Sequence, residues 1–206
     1  MRIGVLGGTF DPPHVGHLLA AVDAYEALSL DKLIFVPAAT QPLKTAAPAV
    51  ASAGDRLEMV RRAVGDDPRF EVSEVEIGRA GLSYTVETLE TLTRENPGAE
   101  LVLIIGMDAL ATFKRWKSPE RIRELARLAV LTRESVDQGQ RRLPVDSDGG
   151  PTLVGTRRID VSSSEIRRRV REGKSIRGFV AESVETYISA ANLYRSAADA
   201  AGMPQR

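Results

Sequence analysis

Met1-Arg2-Ile3-Gly4-Val5-Leu6-Gly7-Gly8-Thr9-Phe10-Asp11-Pro12-Pro13-His14-Val15-Gly16-His17 opens the chain, and the fold is decided in this stretch. Ile3–Leu6 is a short apolar run closed by Gly7-Gly8, the pattern of a buried strand. After Pro12-Pro13, the segment His14–Leu28 carries apolar residues at helical spacing (Leu18, Val22, Leu28) and reads as a helix. The N-terminus runs straight into the strand and shows no signal-peptide pattern.

Outward from this junction, strand and helix signals alternate. Leu33–Val36, ended by Pro37, reads as a second buried strand, and residues 37–54, rich in Pro, Ala and small polar residues, as a long mobile loop. Asp55 is the expected N-cap of the next helix, with Glu58 at its third position. Phe70–Ile77 alternates apolar and polar residues (Val72, Val75, Ile77) and predicts a third strand. A helix is expected from Thr85 to Glu95, stopped by Asn96-Pro97-Gly98. Leu101–Ile105, five consecutive aliphatic residues, is the candidate central parallel strand. Ser118-Pro119 opens a further helix, with serine as cap and proline first, and Ala129–Leu131 is a fifth strand. Residues 134–150 read as an exposed mobile loop, Thr152–Val154 and Ile159–Val161 as short strands, Ser162–Val170 and Ser183–Leu193 as closing helices, and 196–206 as a frayed tail. The alternation predicts an α/β, Rossmann-like, doubly wound and mostly parallel sheet in one domain over residues 1–195, with a C-terminal helical segment.

The 206 residues are 43% hydrophobic, enough for one sizeable core. Twenty-eight Lys and Arg balance 28 Asp and Glu, so no global field draws the chain to nucleic acid or an anionic membrane, and an anionic ligand has to be held by local geometry. The absence of cysteine excludes disulfides, thiol catalysis and cysteine metal sites. No apolar run approaches the roughly 20 residues of a membrane helix, and a cytoplasmic protein is expected.

Gly7 and Gly8 let backbone approach a phosphate closely, and the helix start behind them offers N–H groups and a positive dipole end. His14 and His17, the only histidines, lie three apart and share one face of the first helical turn. G-x-G-x-x-G is absent, Gly173-Lys174-Ser175 lacks the glycine a phosphate loop needs at position 168, and no G-x-S-x-G or H-E-x-x-H element occurs. Two histidines fall short of a zinc ligand set, so no protein-built metal site is expected; from spacing alone, histidines on a solvated helix start fit as well. Near the other end, Ser162 and Glu165 form a capping box, and Ser163, Ser164 and Arg167 crowd the same helix start. Hydroxyls, amides and a guanidinium there suit the phosphates of an anionic ligand, although a plain capped helix with a solvated arginine face would read alike.

The run from Gly7 to His17 closely resembles the first signature of the nucleotidylyltransferase superfamily. Its H-x-G-H element is also similar to that of class I aminoacyl-tRNA synthetases, but those are much longer and carry a K-M-S-K-S-type loop that this sequence lacks. Val161-Ser162-Ser163-Ser164-Glu165-Ile166-Arg167 resembles the second superfamily element, I-S-S-T-x-I-R, with Val for Ile and Ser for Thr. Across nearly its whole length the chain resembles the bacterial nicotinate-mononucleotide adenylyltransferases. Ser83–Leu89 is similar to their S-Y-T-x-x-T-L segment, and Ile105-Gly106-Met107-Asp108 followed by Trp116 to their G-x-D…W segment. One position departs: Gln41-Pro42-Leu43-Lys44 stands where the family commonly has P-P-H-K, so the lysine is kept and Leu43 replaces the histidine.

The resemblance implies an enzyme of NAD biosynthesis that joins nicotinate mononucleotide to ATP, with Mg²⁺ accompanying the ATP, and releases pyrophosphate. It implies ATP contacts at Gly7, Gly8, Thr9, Phe10, His17, Gly106, Asp108, Ser163, Ser164, Ile166 and Arg167, and mononucleotide contacts at Lys44, Tyr84, Thr85 and Trp116. His14, His17, Lys44 and Arg167 are the implied catalytic groups: imidazoles on the α-phosphate, lysine on the acceptor phosphate, guanidinium on the departing pyrophosphate. For Trp116 a packing role, and for Asp108 a helix-capping role, stand beside pyridine stacking and ribose binding. Transfer to nicotinamide mononucleotide or phosphopantetheine, and a non-catalytic nucleotide-binding regulator, are the rival readings. Nicotinate selectivity, metal preference and oligomeric state, a homodimer included, are not legible.

Overall fold

The computed structural model describes residues 1–42, 49–79, 81–132 and 150–195. Six strands form one parallel sheet in the order β3-β2-β1-β4-β5-β6: β1 Arg2–Gly8, β2 Lys32–Pro37, β3 Phe70–Val72, β4 Glu100–Gly106, β5 Ala126–Thr132 and β6 Thr152–Gly155. The helices are α1 Val15–Ala27, α2 Ala53–Val64, α3 Val75–Arg79, α4 Thr85–Glu95, α5 Met107–Thr112, α6 Pro119–Leu125, α7 Ser163–Arg171 and α8 Glu182–Ala190, with a 3-10 turn at Phe113–Arg115.

Strand alternation builds a core on each face. Ile3 and Val5 of β1, Ile34 and Val36 of β2, and Leu101, Leu103 and Ile105 of β4 pack with Val86, Leu89 and Leu92 of α4 and Ile122 of α6. The intervening Leu6, Leu33, Phe35, Val102 and Ile104 pack with Ala21 and Ala24 of α1 and Val60 and Val64 of α2. The aliphatic runs are therefore continuous because both faces are covered, and the sheet is the doubly wound, Rossmann-like one expected. A third cluster (Met59, Ile166, Val184, Ile188, Tyr194) joins α2, α7 and α8, and Tyr187 of α8 donates to Asp55 of α2 at 2.9 Å. Among the described residues no helix is long and apolar enough to cross a membrane.

Four local expectations change. The third strand is only three residues long, and Val75–Arg79 is helical. Ser73 N–H closes the ladder on the Phe35 carbonyl, the Ser73 hydroxyl accepts from Val75 N–H, and Glu76 turns inward to accept from Thr88 Oγ1 at 2.7 Å. Ile159–Val161 is not a strand, because Arg157 is clamped to Asp23 of α1 (Nη2–Oδ1 2.6 Å), which draws the segment over α1 and off the sheet edge. Ser52, not Asp55, caps α2, accepting from Asp55 N–H at 3.1 Å. Ser118 adopts a left-handed φ of 51° and makes no side-chain cap, leaving Pro119 alone to open α6.

Described parts of the 37–54 segment bond to the body of the protein: Ala38 N–H donates to the Gly8 carbonyl, Ala39 N–H to Ser83 Oγ, and Val50 and Ala51 N–H to Asp11. The remainder of that loop, most of 134–150 and the tail 196–206 lie outside the described residues. Arg56 of α2 is 1% exposed, and donates to the carbonyls of Thr9 (2.8 Å), Ala38 (2.6 Å) and Ala39 (3.0 Å). It fastens the ends of β1 and β2 to one helix. Each carbonyl left without its donor costs about 1–3 kcal/mol. Arg56→Met is expected to lower the unfolding free energy by about 3 kcal/mol or more in urea titration; a loss under about 1 kcal/mol would show that the guanidinium is not a tie.

Candidate active site

All six strands point the same way, so their carboxyl ends share one edge. The strand order reverses between β1 and β4, where a crevice opens in such sheets. Gly7-Gly8 and Gly106 finish these two strands; a Cβ on Gly106 would meet nothing within 4 Å, and one on Gly7 only the Val36 carbonyl at 4.0 Å. Gly8 differs, since its Cβ would stand 2.7 Å from the Phe10 ring. Phe10 is 3% exposed with φ 49°, and its ring lies edge-on to His17 (5.1 Å) and Phe35 (5.8 Å). It supports the histidine from beneath rather than facing a ligand.

His14 is the N-cap of α1 and His17 its third residue, their rings 3.8 Å apart and tilted 30°. The His14 backbone N–H donates to His17 Nδ1 at 3.2 Å. That bond needs a lone pair on Nδ1, so the His17 proton sits on Nε2, which becomes a fixed donor. Burial pushes the His17 pKa down to about 3, with His14 adding to the effect, and burial lowers His14 to about 4. Both rings are neutral near pH 7. Val15 N–H donates to the Phe179 carbonyl at 2.9 Å, so fewer N–H groups are open at this helix start than expected.

The second segment meets the first by direct bonds. Ser163 Oγ donates to the Pro12 carbonyl at 2.8 Å, and Arg167 Nη1 to the Asp11 carbonyl at 2.6 Å, with the Asp11 carboxylate 3.7 Å away. The Ser163 hydroxyl is thus a tie between segments, not a free phosphate donor. Ser162 caps α7 through Glu165 N–H (3.2 Å), and Ser163 and Ser164 occupy the first two helical positions, whose N–H groups precede any intrahelical acceptor. Ser164 is exposed, and its Oγ lies 3.4 Å from Arg167 Nη2. Ile166 is 0% exposed and its N–H is held by the Ser162 carbonyl, so it anchors α7 and does not reach the cleft. Of the later arginines, Arg168 pairs with Glu172, and Arg169 donates to Ser175 and covers Phe179.

Across the crevice, Asp108 is exposed at the second position of α5, just past β4. Tyr84 and Thr85 begin α4. Lys117 pairs with Glu87 (2.7 Å) and lies 4.3 Å over the Tyr84 ring, which brings Trp116 to the same helix start. Trp116 is half-buried against Phe113 (5.3 Å), with Nε1 3.4 Å from Thr112 Oγ1. Thr9 contributes its carbonyl to Arg56. Lys44 and Leu43 lie outside the described residues.

Asp11, Arg56 and Tyr194 escaped the sequence reading. Asp11 is 4% exposed; its Oδ1 accepts from Tyr194 Oη (2.7 Å) and Ala51 N–H (3.2 Å), and its Oδ2 from Val50 N–H (2.7 Å). The available signals were a carboxylate inside the glycine-rich turn and an arginine on the apolar face of α2 that carries Met59 and Val60.

Residues 5–169 match the family described as cytidylyltransferase-like. A probable nicotinate-nucleotide adenylyltransferase of Gemmatimonas aurantiaca is 50% identical over 198 residues, covering 95% of this chain and 93% of its own. One from Thermus thermophilus is 46% identical over 195 residues, covering 95% and 100%. The nicotinic acid mononucleotide adenylyltransferase of Plasmodium falciparum, solved with NaAD, superposes with a TM-score of 0.69 at 17% identity, covering 94% of this chain and 97% of that one, and so speaks to the fold alone.

The buried neutral imidazoles set a pH dependence. Below about pH 6.5 the unfolded chain takes up protons on both rings that the folded chain refuses until about 4 and about 3. Stability therefore falls as pH drops through that window and returns as pH rises. Urea unfolding between pH 6.5 and 5 is expected to show a steeper loss for the parent than for a His14→Gln, His17→Gln double variant. Equal slopes would contradict neutral burial.

Proposed function

This chain belongs to the cytidylyltransferase-like family and, within it, to the nicotinate-nucleotide adenylyltransferases, and on that premise we propose that it transfers the adenylyl group of ATP to the 5′-phosphate of nicotinate mononucleotide. The products are nicotinate adenine dinucleotide and pyrophosphate, a step of NAD biosynthesis. The observation that carries the site reading is the pair of bonds from Ser163 and Arg167 to the backbone of Pro12 and Asp11, which sets a guanidinium and two imidazoles around one loop.

The acceptor phosphate is already an anion, so no side chain has to act as nucleophile. It attacks the α-phosphorus in line, the bond to the bridging oxygen of pyrophosphate breaks, and the protein's task is positioning and charge stabilisation. His17 Nε2–H, a neutral donor of fixed tautomer, bonds an α-phosphate oxygen more strongly as charge builds there, with His14 beside it. Arg167 carries a permanent charge and takes the departing pyrophosphate together with the open N–H groups of Ser163 and Ser164. Gly7 and Gly106 leave room for the nucleotide, and Asp108 accepts from the ribose hydroxyls. At the α4 start, Thr85 N–H receives the nicotinate carboxylate, Tyr84 and Trp116 flank the pyridine, and Lys44 takes the acceptor phosphate.

Among the described residues no cluster of three His, Cys, Asp or Glu side chains is of a kind to hold a metal ion. Mg²⁺ would enter on the triphosphate as part of the substrate, with few ligands from the protein. The proposed setting is the cytoplasm, where ATP is supplied.

Pyrophosphate release, assayed with ATP and nicotinate mononucleotide, nicotinamide mononucleotide or phosphopantetheine, is expected to be fastest with the nicotinate acceptor. Preference for phosphopantetheine, or no turnover on any of the three, would refute the assignment. His17→Ala is expected to lower kcat about a hundredfold or more in a folded protein; near-normal turnover would remove the histidine from the mechanism. Trp116→Ala is expected to raise KM for the mononucleotide more than for ATP, and equal effects on both would argue against stacking.

A further inference from the structure

We infer that Tyr194 is a positioning residue of the active site, holding Arg167 in place for the phosphates of ATP through the Asp11 carboxylate. The inference rests on the reading of Arg167 given above and extends it to a residue outside both signature segments.

Tyr194 follows α8 in a turn with φ 52° at Asn192 and φ 65° at Tyr194 itself. The left-handed region is tolerable for asparagine and uncommon for tyrosine, so the turn is held by what the Tyr194 side chain gains. Its ring is buried in the cluster with Met59, Ile166 and Ile188, which a phenylalanine would fill equally well. The hydroxyl does something else. It donates to Asp11 Oδ1 at 2.7 Å, 183 residues away in sequence. Burial and the neighbouring carboxylate push its pKa far above the ordinary tyrosine value, so it remains a donor at any working pH.

The consequence for Arg167 follows from how the carboxylate is shared. Oδ1 is occupied by Tyr194 and Ala51 N–H, and Oδ2 by Val50 N–H, which leaves Arg167 Nη1 at a loose 3.7 Å from Oδ2. The firm bond of Nη1 is to the Asp11 carbonyl, at 2.6 Å. Without the tyrosine hydroxyl Oδ1 keeps only the long bond from Ala51, so the buried carboxylate is under-bonded, and the Arg167 guanidinium 3.7 Å away is a charged donor beside it. Closing that gap would draw Arg167 toward Asp11 and away from a triphosphate. Tyr194 thus keeps the acid from competing with the nucleotide for the arginine.

The test is a double-mutant cycle read by calorimetric titration of ATP, and separately of inorganic pyrophosphate, below the melting temperature of all four proteins. Tyr194→Phe is expected to weaken both ligands about fivefold in the parent, the scale of one hydrogen bond, and less than about twofold in an Arg167→Ala background. A merely structural tyrosine would weaken binding equally in the two backgrounds, and that result, or no weakening in the parent, overturns the inference. If Tyr194→Phe proves unstable, Asp11→Asn tests the same competition from the other side: with the charge gone the guanidinium has no rival for the nucleotide, so ATP and pyrophosphate are expected to bind at least as tightly as in the parent, and a roughly fivefold weakening would overturn the inference. Neither titration needs an acceptor nucleotide. A chain that showed the coupling yet released no pyrophosphate would sink the adenylyl-transfer reading and uphold this one.

Discussion

A buried carboxylate joins parts of the chain that sequence order keeps far apart. Asp11 gathers backbone N–H groups from the segment before α2, the hydroxyl of Tyr194 beyond α8, and the guanidinium of Arg167 on α7. Taking an ionised group out of water costs several kcal/mol unless it is paired and bonded, so each of these partners has to be in place for the fold to tolerate the acid. Arg56 does the converse with a buried cation and the carbonyls at the ends of β1 and β2. Between them the two residues over-determine the loop from Thr9 to Pro12, and the histidine pair begins where that loop ends.

The parallel sheet supplies the rest of the placement. All carboxyl ends share one edge, and the strand order reverses between the two strands that finish in Gly7-Gly8 and Gly106. Backbone without side chains borders the crevice there, while α1, α4, α5 and α7 start around it. With no net charge on the chain, attraction for a polyanion has to come from these local features. The labour is divided by chemistry: the imidazoles are kept neutral by burial and offer an oriented N–H, whereas Arg167 offers a guanidinium with several donors.

The sheet was legible because its strands are aliphatic runs buried on both faces, and the two signature segments because their caps and glycines are local. What failed was governed by distant partners. Phe70–Ile77 reads as a strand until Ser73 caps a turn and Glu76 is drawn inward by Thr88. Ile159–Val161 reads as a strand until Arg157 is held by Asp23, far away in the chain. Pattern reading sends charge to the surface, so Asp11 and Arg56 were invisible as internal ties. Of the residues assigned to ATP, the Ser163 hydroxyl ties the second segment to Pro12 of the first, and Ile166 is wholly buried in the cluster that joins α7 to α2 and α8.

Adenylyl transfer as proposed requires both signature segments to grip the same triphosphate. A crystal structure of the chain soaked with a non-hydrolysable ATP analogue and Mg²⁺ tests it directly. His17 Nε2 and the Arg167 guanidinium are each expected within hydrogen-bond distance of oxygens on one analogue molecule. A triphosphate bound to either residue with the other turned away into solvent would contradict it.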